Sequence, residues 1–450
     1  MIATAKSAMR PAALMAGAAA LTLALSSAPL RAEIDITAVT SPGGIEAWLV
    51  EEPSIPFVAI EISFEGGAVL DPEGAEGAVA LMTSLLSEGA GALDAQEFAA
   101  AMEDLAGSVS FSSDRDSLRV SLRALSENRD DVVALARSAL IEPRFDDNAI
   151  ERERRRQLAA LEREARDPMR IATRDFNARA FAGHPYARPE NGTPESVEAL
   201  TRADIEAAHR SALARDRLHI GAAGDISAEE LGALLDALLG DLPVEGAALP
   251  DYASFAAEPG VTVIDHPGPQ SMILFGHAGL QRDDPDFMAA FVMNDLFGSG
   301  RFGTRLMSEL RQRRGLTYGV GSWLSSGAFG DAFMGRVSTD NSRAGEVVRL
   351  LREEWEWLAG GGVSAEQLES AQTFLTGAYP LRFDGNGAIA RILASMQSQG
   401  FDIDYVNRRN DMVRDVTLED IHRVAARLAD PEALHFVIVG RPEGLEEAGF

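Results

Sequence analysis

The sequence contains no cysteine. Disulfides, thiol nucleophiles, Cys-ligated zinc and a lipidated N-terminal cysteine are therefore excluded. Lysine is nearly absent too, since Lys6 is the only one. Beyond it no residue can form a lysine Schiff base, act as a lysine general base or complete a Gly-x-x-x-x-Gly-Lys phosphate loop. Histidine is present but scattered: among the seven (His184, His209, His219, His266, His277, His422, His435), no two lie within four residues of each other. A helical zinc site with two histidines on one face cannot be built from that spacing. There is no Gly-x-Ser-x-Gly elbow, because Gly298-Ser-Gly-Arg-Phe302 lacks the final glycine. Positive charge is short overall, with 41 Lys+Arg against 69 Asp+Glu and a net charge of −28. Such a surface repels nucleic acid. After residue 32 no apolar stretch is long enough to span a bilayer.

At 450 residues the chain exceeds one ordinary core, which points to two domains. Residues 1–32 read as a secretory signal peptide: Lys6 and Arg10 precede an apolar run over 12–25, and small residues follow to Ala32. Pro29 blocks cleavage after Ala28, which puts the cut after Ala32; an uncleaved N-terminal anchor is the alternative. Cleavage removes Lys6, Arg10 and Arg31 and no acid, so the mature charge is −28 − 3 = −31. The expected mature protein is soluble, without a membrane span, and periplasmic.

An internal repeat organises the rest. A shift of 216 places Thr201 on Thr417, Asp204 on Asp420, Ile205 on Ile421, His219 on His435 and Gly224 on Gly440. Each copy has a Thr N-cap with an acid three positions on, a helix, and an apolar strand ending at glycine. Earlier in each copy, runs at 36–40 and 261–264, then 57–64 and 271–276, have strand character, and helices are expected at 77–87 and 286–297. Residues 240–260 are rich in Pro, Gly and Ala without periodicity and mark a linker. The reading is α+β: two homologous domains, 33–242 and 256–450, joined by a linker at 243–255, each an antiparallel-type sheet packed with long helices. The charge-dense helix at 151–166 is expected as a solvated face laced with i,i+4 ion pairs. His219 and His435 read as structural strand residues and His184 as a satisfied loop polar.

One segment stands out. Residues 308–320 hold Arg311, Arg313, Arg314 and Tyr318 within an acidic chain. Residues 307–313 have helical composition, Gly315 fits a C′ glycine, and a strand is expected from Leu316. Arg313 and Arg314 suit the negative end of that helix. Arg311 and Tyr318 could converge from helix and strand, but local pattern alone favours a plain surface Arg and a core Tyr.

Phe302-Gly-Thr-Arg-Leu306, Glu309-Leu-Arg311 and Arg314-Gly-Leu-Thr-Tyr318 resemble the C-terminal-half signature of the pitrilysin/insulinase family of zinc peptidases, the inverzincins. His184-Pro-Tyr-Ala-Arg-Pro-Glu-Asn-Gly-Thr-Pro-Glu-Ser196, Gln270, Asn294, Gly298 and residues 368–377 match the family in order and spacing. The resemblance implies two homologous halves arranged as a clamshell around an unfolded peptide. It also exposes a departure. The family's His-x-x-Glu-His motif falls on the first long helix, where this chain has Ala80, Thr83 and Ser84. The third ligand, a Glu expected near 159–161, is lost as well, with Glu162 the nearest carboxylate. Ala and Ser cannot hold zinc, and Thr cannot serve as the carboxylate base.

The resemblance thus implies the non-zinc subunit of a two-subunit peptidase. No cofactor belongs to this chain, and zinc is expected on a homologous zinc-binding partner. Arg311 and Tyr318 are the expected site residues, gripping the scissile carbonyl of a peptide or unfolded protein. The alternative is a catalytically inactive structural or peptide-binding paralogue.

Overall fold

Alternation along residues 57–65 shows how the first sheet forms. Val58, Ile60, Ile62 and Phe64 point into one core, while Glu61, Ser63 and Glu65 face the other way. The structure, a computed structural model, describes residues 34–446 and Gly449. The leader and its cleavage point after Ala32 lie outside the described residues.

Six strands make the first sheet. They are β1 (Thr37–Thr40), β2 (Glu46–Glu51), β3 (Phe57–Glu65), a hairpin of β6 (Ser108–Ser113) with β7 (Ser117–Leu125), and β8 (Leu218–Gly224). A small separate hairpin joins β4 (Gly89–Ala90) to β5 (Leu93–Asp94). The spatial order is β1-β2-β8-β3-β7-β6. The second sheet contains β9 (Gly260–Asp265), β10 (Gln270–Ala278), β11 (Val320–Ser326), β12 (Asp331–Asp340) and β13 (His435–Gly440), in the order β11-β12-β10-β13-β9. Every pairing is antiparallel except β2–β8 and β13–β9, one in each sheet at corresponding places. The architecture is α+β with two like halves in a clamshell arrangement.

The repeat holds in detail. Thr201 and Thr417 both accept from the amide three residues on, and Asp204 and Asp420 reach back to the cap, closing two capping boxes. β8 and β13 each end at a glycine in a backbone conformation that side-chain-bearing residues rarely adopt, φ +136° at Gly224 and φ +152° at Gly440. Between Leu239 and Gly260 the chain has neither helix nor strand beyond a bridge at Ala253, yet it is pinned. Ala253 N–H donates to Phe329 O at 2.8 Å and Ala256 N–H to Ala180 O at 2.8 Å.

The halves also exchange helices, which the repeat alone did not reveal. The Asn386–Ser398 helix packs on β8 and β3 of the first sheet, and the Pro168–Ala180 helix packs on β10 and β13 of the second. A Cβ on Gly221 would lie 2.1 Å from Ala390 O, so that approach needs glycine. Gln397 then seals the contact by donating to Ile220 O at 2.7 Å. On the reciprocal side, fully buried Phe176 sits against Gly276. Each sheet thus has its second face covered partly by the other half.

The helix expected at 151–166 spans Asp147–Glu164 and is less solvated than its charge suggests. Glu153 and Leu161 are buried, and Arg154 pairs with Glu151 and Arg156 with Glu153 at i,i+3 spacing rather than i,i+4. Arg154 and Arg152 also reach to Val197 O and Glu88 on neighbouring segments. The helix packs against the Ala78–Leu85 helix, so its charges partition into tethers and one buried acid.

Between the halves lies a chamber of about 1110 Å³. Its walls are the polar face of β3, the β6–β7 turn, the tip of the β11–β12 hairpin and the exchanged helix at 391–398.

Candidate functional site

The three positions where the resemblance puts the lost zinc motif sit on the Ala78–Leu85 helix, and their groups are internally spent. Thr83 is 3% exposed and its hydroxyl donates to Val79 O at 2.7 Å. Ser84 donates to Leu81 O at 2.8 Å, and Ala80 has no donor atom to offer. Asp71 holds the start of the helix, accepting from the amides of Gly77 at 2.7 Å and Val79 at 2.9 Å. Burial pushes its carboxyl up to about 7 against those two amides. Residues 159–161 are Ala, Ala and Leu, and Glu162 is exposed. Among the described residues no group of three His, Asp or Glu side chains is arranged to hold a metal ion. These residues do not fit zinc. Glu153, the one fully buried acid of the neighbouring helix, faces Arg156 at 2.9 Å; sequence pattern gave no hint of its burial.

The arginine-tyrosine segment is built differently. Residues 307–313 form a π-helix, whose wider winding stacks residue i+5 over residue i. That brings Arg314 onto Glu309 together with Arg305 and Arg313. The contacts are 2.6 Å from Arg314, 2.7 Å from Arg313 and 3.3 Å from Arg305. Glu309 is 3% exposed, so one buried carboxylate absorbs Arg313 and Arg314 and shares Arg305 with buried Glu354. Sequence assigns Arg313 and Arg314 to the helix dipole; the nearer cause is this acid.

Gly315 takes φ +61° and ends the helix. Its N–H donates to Arg311 O at 3.0 Å and that of Leu316 to Leu310 O at 2.8 Å, two nested bonds that close the wide last turn. The strand expected from Leu316 begins only at Val320. Residues 316–319 instead form a tight presenting turn. Thr339 on β12 grips Leu316 O at 2.7 Å, and the Thr317 hydroxyl bonds both Gly319 O and Gly319 N–H. Tyr318 sits at the tip between them, 83% exposed, and its hydroxyl makes no hydrogen bond among the described residues.

Arg311 has no carboxylate partner among the described residues; its guanidinium lies 4.6 Å from the ring centre of Phe302, itself 69% exposed. Arg311, Phe302 and Tyr318 are thus the unspent members of the segment. Phe302 is visible in sequence only as part of a signature, and its role as the platform under Arg311 emerges only in the folded chain. Behind the turn, Ser322 of β11 donates to Asn294 at 2.7 Å, and a Cβ on Gly298 would stand 1.9 Å from the Ser322 hydroxyl. This explains why Asn294 and Gly298 belong to the same signature: they seat the strand that carries the turn. His184, as expected, is satisfied, accepting from Tyr186 N–H and bonding Asp251 O.

Known proteins resemble the chain over most of its length. Residues 47–193 match the family described as Insulinase (Peptidase family M16), and residues 199–375 match the Peptidase M16 inactive domain. A protein of Helicobacter pylori named Non-peptidase homolog YmxG is 24% identical over 390 residues, 86% of this chain and 90% of its own. The Uncharacterized zinc protease ML0855 of Mycobacterium leprae is also 24% identical, over 86% of this chain and 88% of its own. A probable mitochondrial-processing peptidase subunit beta of Schizosaccharomyces pombe is 26% identical over 70% of this chain and 71% of its own. Among solved structures, a peptidase M16 inactive domain from Pseudomonas fluorescens superposes with a TM-score of 0.84 at 26% identity, covering 91% of this chain and 98% of that one.

Proposed function

The chain belongs to the insulinase family of peptidases (M16) as a catalytically inactive paralogue, and from that premise we propose that it completes the active site of another subunit. In this reading it is an exported, periplasmic chain that pairs with a homologous zinc-binding peptidase subunit. It lends that subunit Arg311 and Tyr318. Zinc and the attacking water belong to the partner. This chain's part is to hold the scissile carbonyl oxygen of a peptide as negative charge grows on it. A permanently charged guanidinium and a directional phenol O–H suit that task.

One observation carries the reading. Within a single turn the protein neutralises Arg313 and Arg314 on Glu309 but leaves Arg311 without an acid and Tyr318 without a hydrogen bond at an exposed tip. A scaffold has no use for that asymmetry. An exposed ring at 83% and an exposed Phe302 beside it are what a surface awaiting another chain would show.

The test is reconstitution of the pair after co-purifying the zinc-bearing homologue from the source cell. Tyr318→Phe and Arg311→Ala should each lower peptide turnover by roughly 10²–10³ without dissociating the pair. Unchanged turnover would sink the reading in favour of a structural or peptide-binding paralogue.

A further inference from the structure

Below the chamber, where the loop after β10 meets the end of the Asn386–Ser398 helix, lies a second cavity of about 230 Å³. Four arginines line it, Arg282, Arg382, Arg391 and Arg409, and no Asp or Glu does. In a chain of net charge −28 whose arginines are mostly spent on carboxylates, that is an unusual surplus. None of the four has a carboxylate within 4.0 Å among the described residues. Arg409 bears on Asp295, but that acid is already paired with Arg301.

The two innermost arginines are held by rings instead. The Arg282 guanidinium lies 4.5 Å from the centre of Phe287 and 5.7 Å from that of Phe401; Arg409 lies 4.6 Å from Tyr379 and 5.4 Å from Phe291. Arg409 is 5% exposed and spends one nitrogen on Leu375 O at 2.9 Å, which satisfies a donor without neutralising the charge. The Arg282 Nε is shut away from solvent with no acceptor. Burial lowers the basicity of both groups, the cost of confining like charges in an apolar setting. A buried donor without an acceptor, among gathered cations with no acid, is an arrangement an anion would relieve.

We infer that this cavity binds a carboxylate, namely the C-terminal α-carboxylate of a peptide whose last side chain is apolar or aromatic. Guanidinium forks match a carboxylate in two parallel bonds. Aromatic walls accept an apolar side chain, and the space is below the usual 300–1,000 Å³ of small-molecule sites, enough for about one residue. The cavity shares Arg282, Arg391, Ser395, Gln399 and Phe401 with the chamber, so a peptide lying in the chamber can end here. The site is this chain's own and does not depend on a partner or on Arg311 and Tyr318.

The experiment is fluorescence anisotropy on the purified chain alone, with a labelled peptide ending in phenylalanine as free acid or as C-terminal amide. The acid should bind at least ~10-fold tighter, the scale of one charge-assisted bond. The exposed residues allow safe variants: Arg382→Gln and Arg391→Gln should each weaken the acid by about 3–10-fold and leave the amide unchanged. Arg408→Gln, which removes an exposed arginine already paired with Asp402, should change nothing. Equal binding of acid and amide overturns the inference. So does N-acetylphenylalanine binding as tightly as the peptide, which would assign the cavity to a free small carboxylate. Inorganic phosphate displacing the peptide at equal affinity overturns it as well.

Discussion

The Ala78–Leu85 helix and the 307–319 turn occupy the two halves of one repeated fold, and they treat polar groups in opposite ways. In the helix every candidate group is consumed inside the chain: Thr83 on Val79 O, Ser84 on Leu81 O, Asp71 on two amides. In the turn, two arginines are consumed and one arginine and one tyrosine are left over. The lesson is that the number of polar residues at a place says little about function. What matters is how many remain after the fold has satisfied its own demands.

The sharpest way to break the contrast is to restore a carboxylate to the helix. Thr83→Glu puts a charge at a position 3% exposed with no cation built for it. We expect a loss of about 3–5 kcal/mol in urea denaturation, the cost of an unpaired buried charge, with Thr83→Val within ~1 kcal/mol as control. A Thr83→Glu variant as stable as the parent would mean that the helix is still open as a site, and the contrast would fail.

Local signals are legible in the sequence, and long-range ones are not. The repeat could be read because its signals are local: a Thr cap, an acid three residues on, an apolar strand, a terminal glycine. Each is written within a short stretch of chain. Strands read at 57–64 and 271–276, found at Phe57–Glu65 and Gln270–Ala278, are legible for the same reason, since alternation and apolar runs are properties of the segment itself. The exchange of the Pro168–Ala180 and Asn386–Ser398 helices was not, because it depends on contacts between residues far apart in the chain, such as Gln397 on Ile220. Within the site, the positions of Arg311 and Tyr318 came from a resemblance. The reason they differ from Arg313 and Arg314 came only from finding Glu309 buried beneath the latter pair. The π-helical winding that lets Arg314 reach Glu309 leaves no mark in composition.

A smaller effect tests that last point. Glu309→Ala removes the acid that Arg313 and Arg314 share, while Arg305 keeps its pair with Glu354. Its partners are partly exposed, so the loss should be about 2 kcal/mol, less than for a fully buried pair. Trypsin should also cut faster after Arg313 and Arg314 in the variant, because the turn they anchor loosens. No change in stability or in cleavage would put all the arginines of the segment on one footing and remove the ground for singling out Arg311.

The smallest effect concerns the far end of the same strand pair, where Asp331 opens β12 opposite Ser326 of β11. Tyr252 donates its hydroxyl to one carboxylate oxygen, the other has no partner, and burial pushes the carboxyl up to about 7. A folded-state value above the ordinary one near 3.8 means that the folded chain holds a proton the unfolded chain has released across that interval. The contribution is therefore fully present below pH ~4 and is lost as pH rises through about 7. Asp331→Asn keeps the shape and the acceptor for Tyr252 but cannot ionise. Between pH 5 and 8 its stability to urea should fall less steeply than the parent's, by about 1 kcal/mol over the interval once water near the carboxyl is allowed for. The Tyr318 turn at the other end of β11 should be indifferent to this change. If trypsin cleavage at Arg313 and Arg314 followed the same pH profile, the two ends of the strand pair would be coupled, and the turn would owe its exposure to the hairpin rather than to its own backbone and Thr317 bonds.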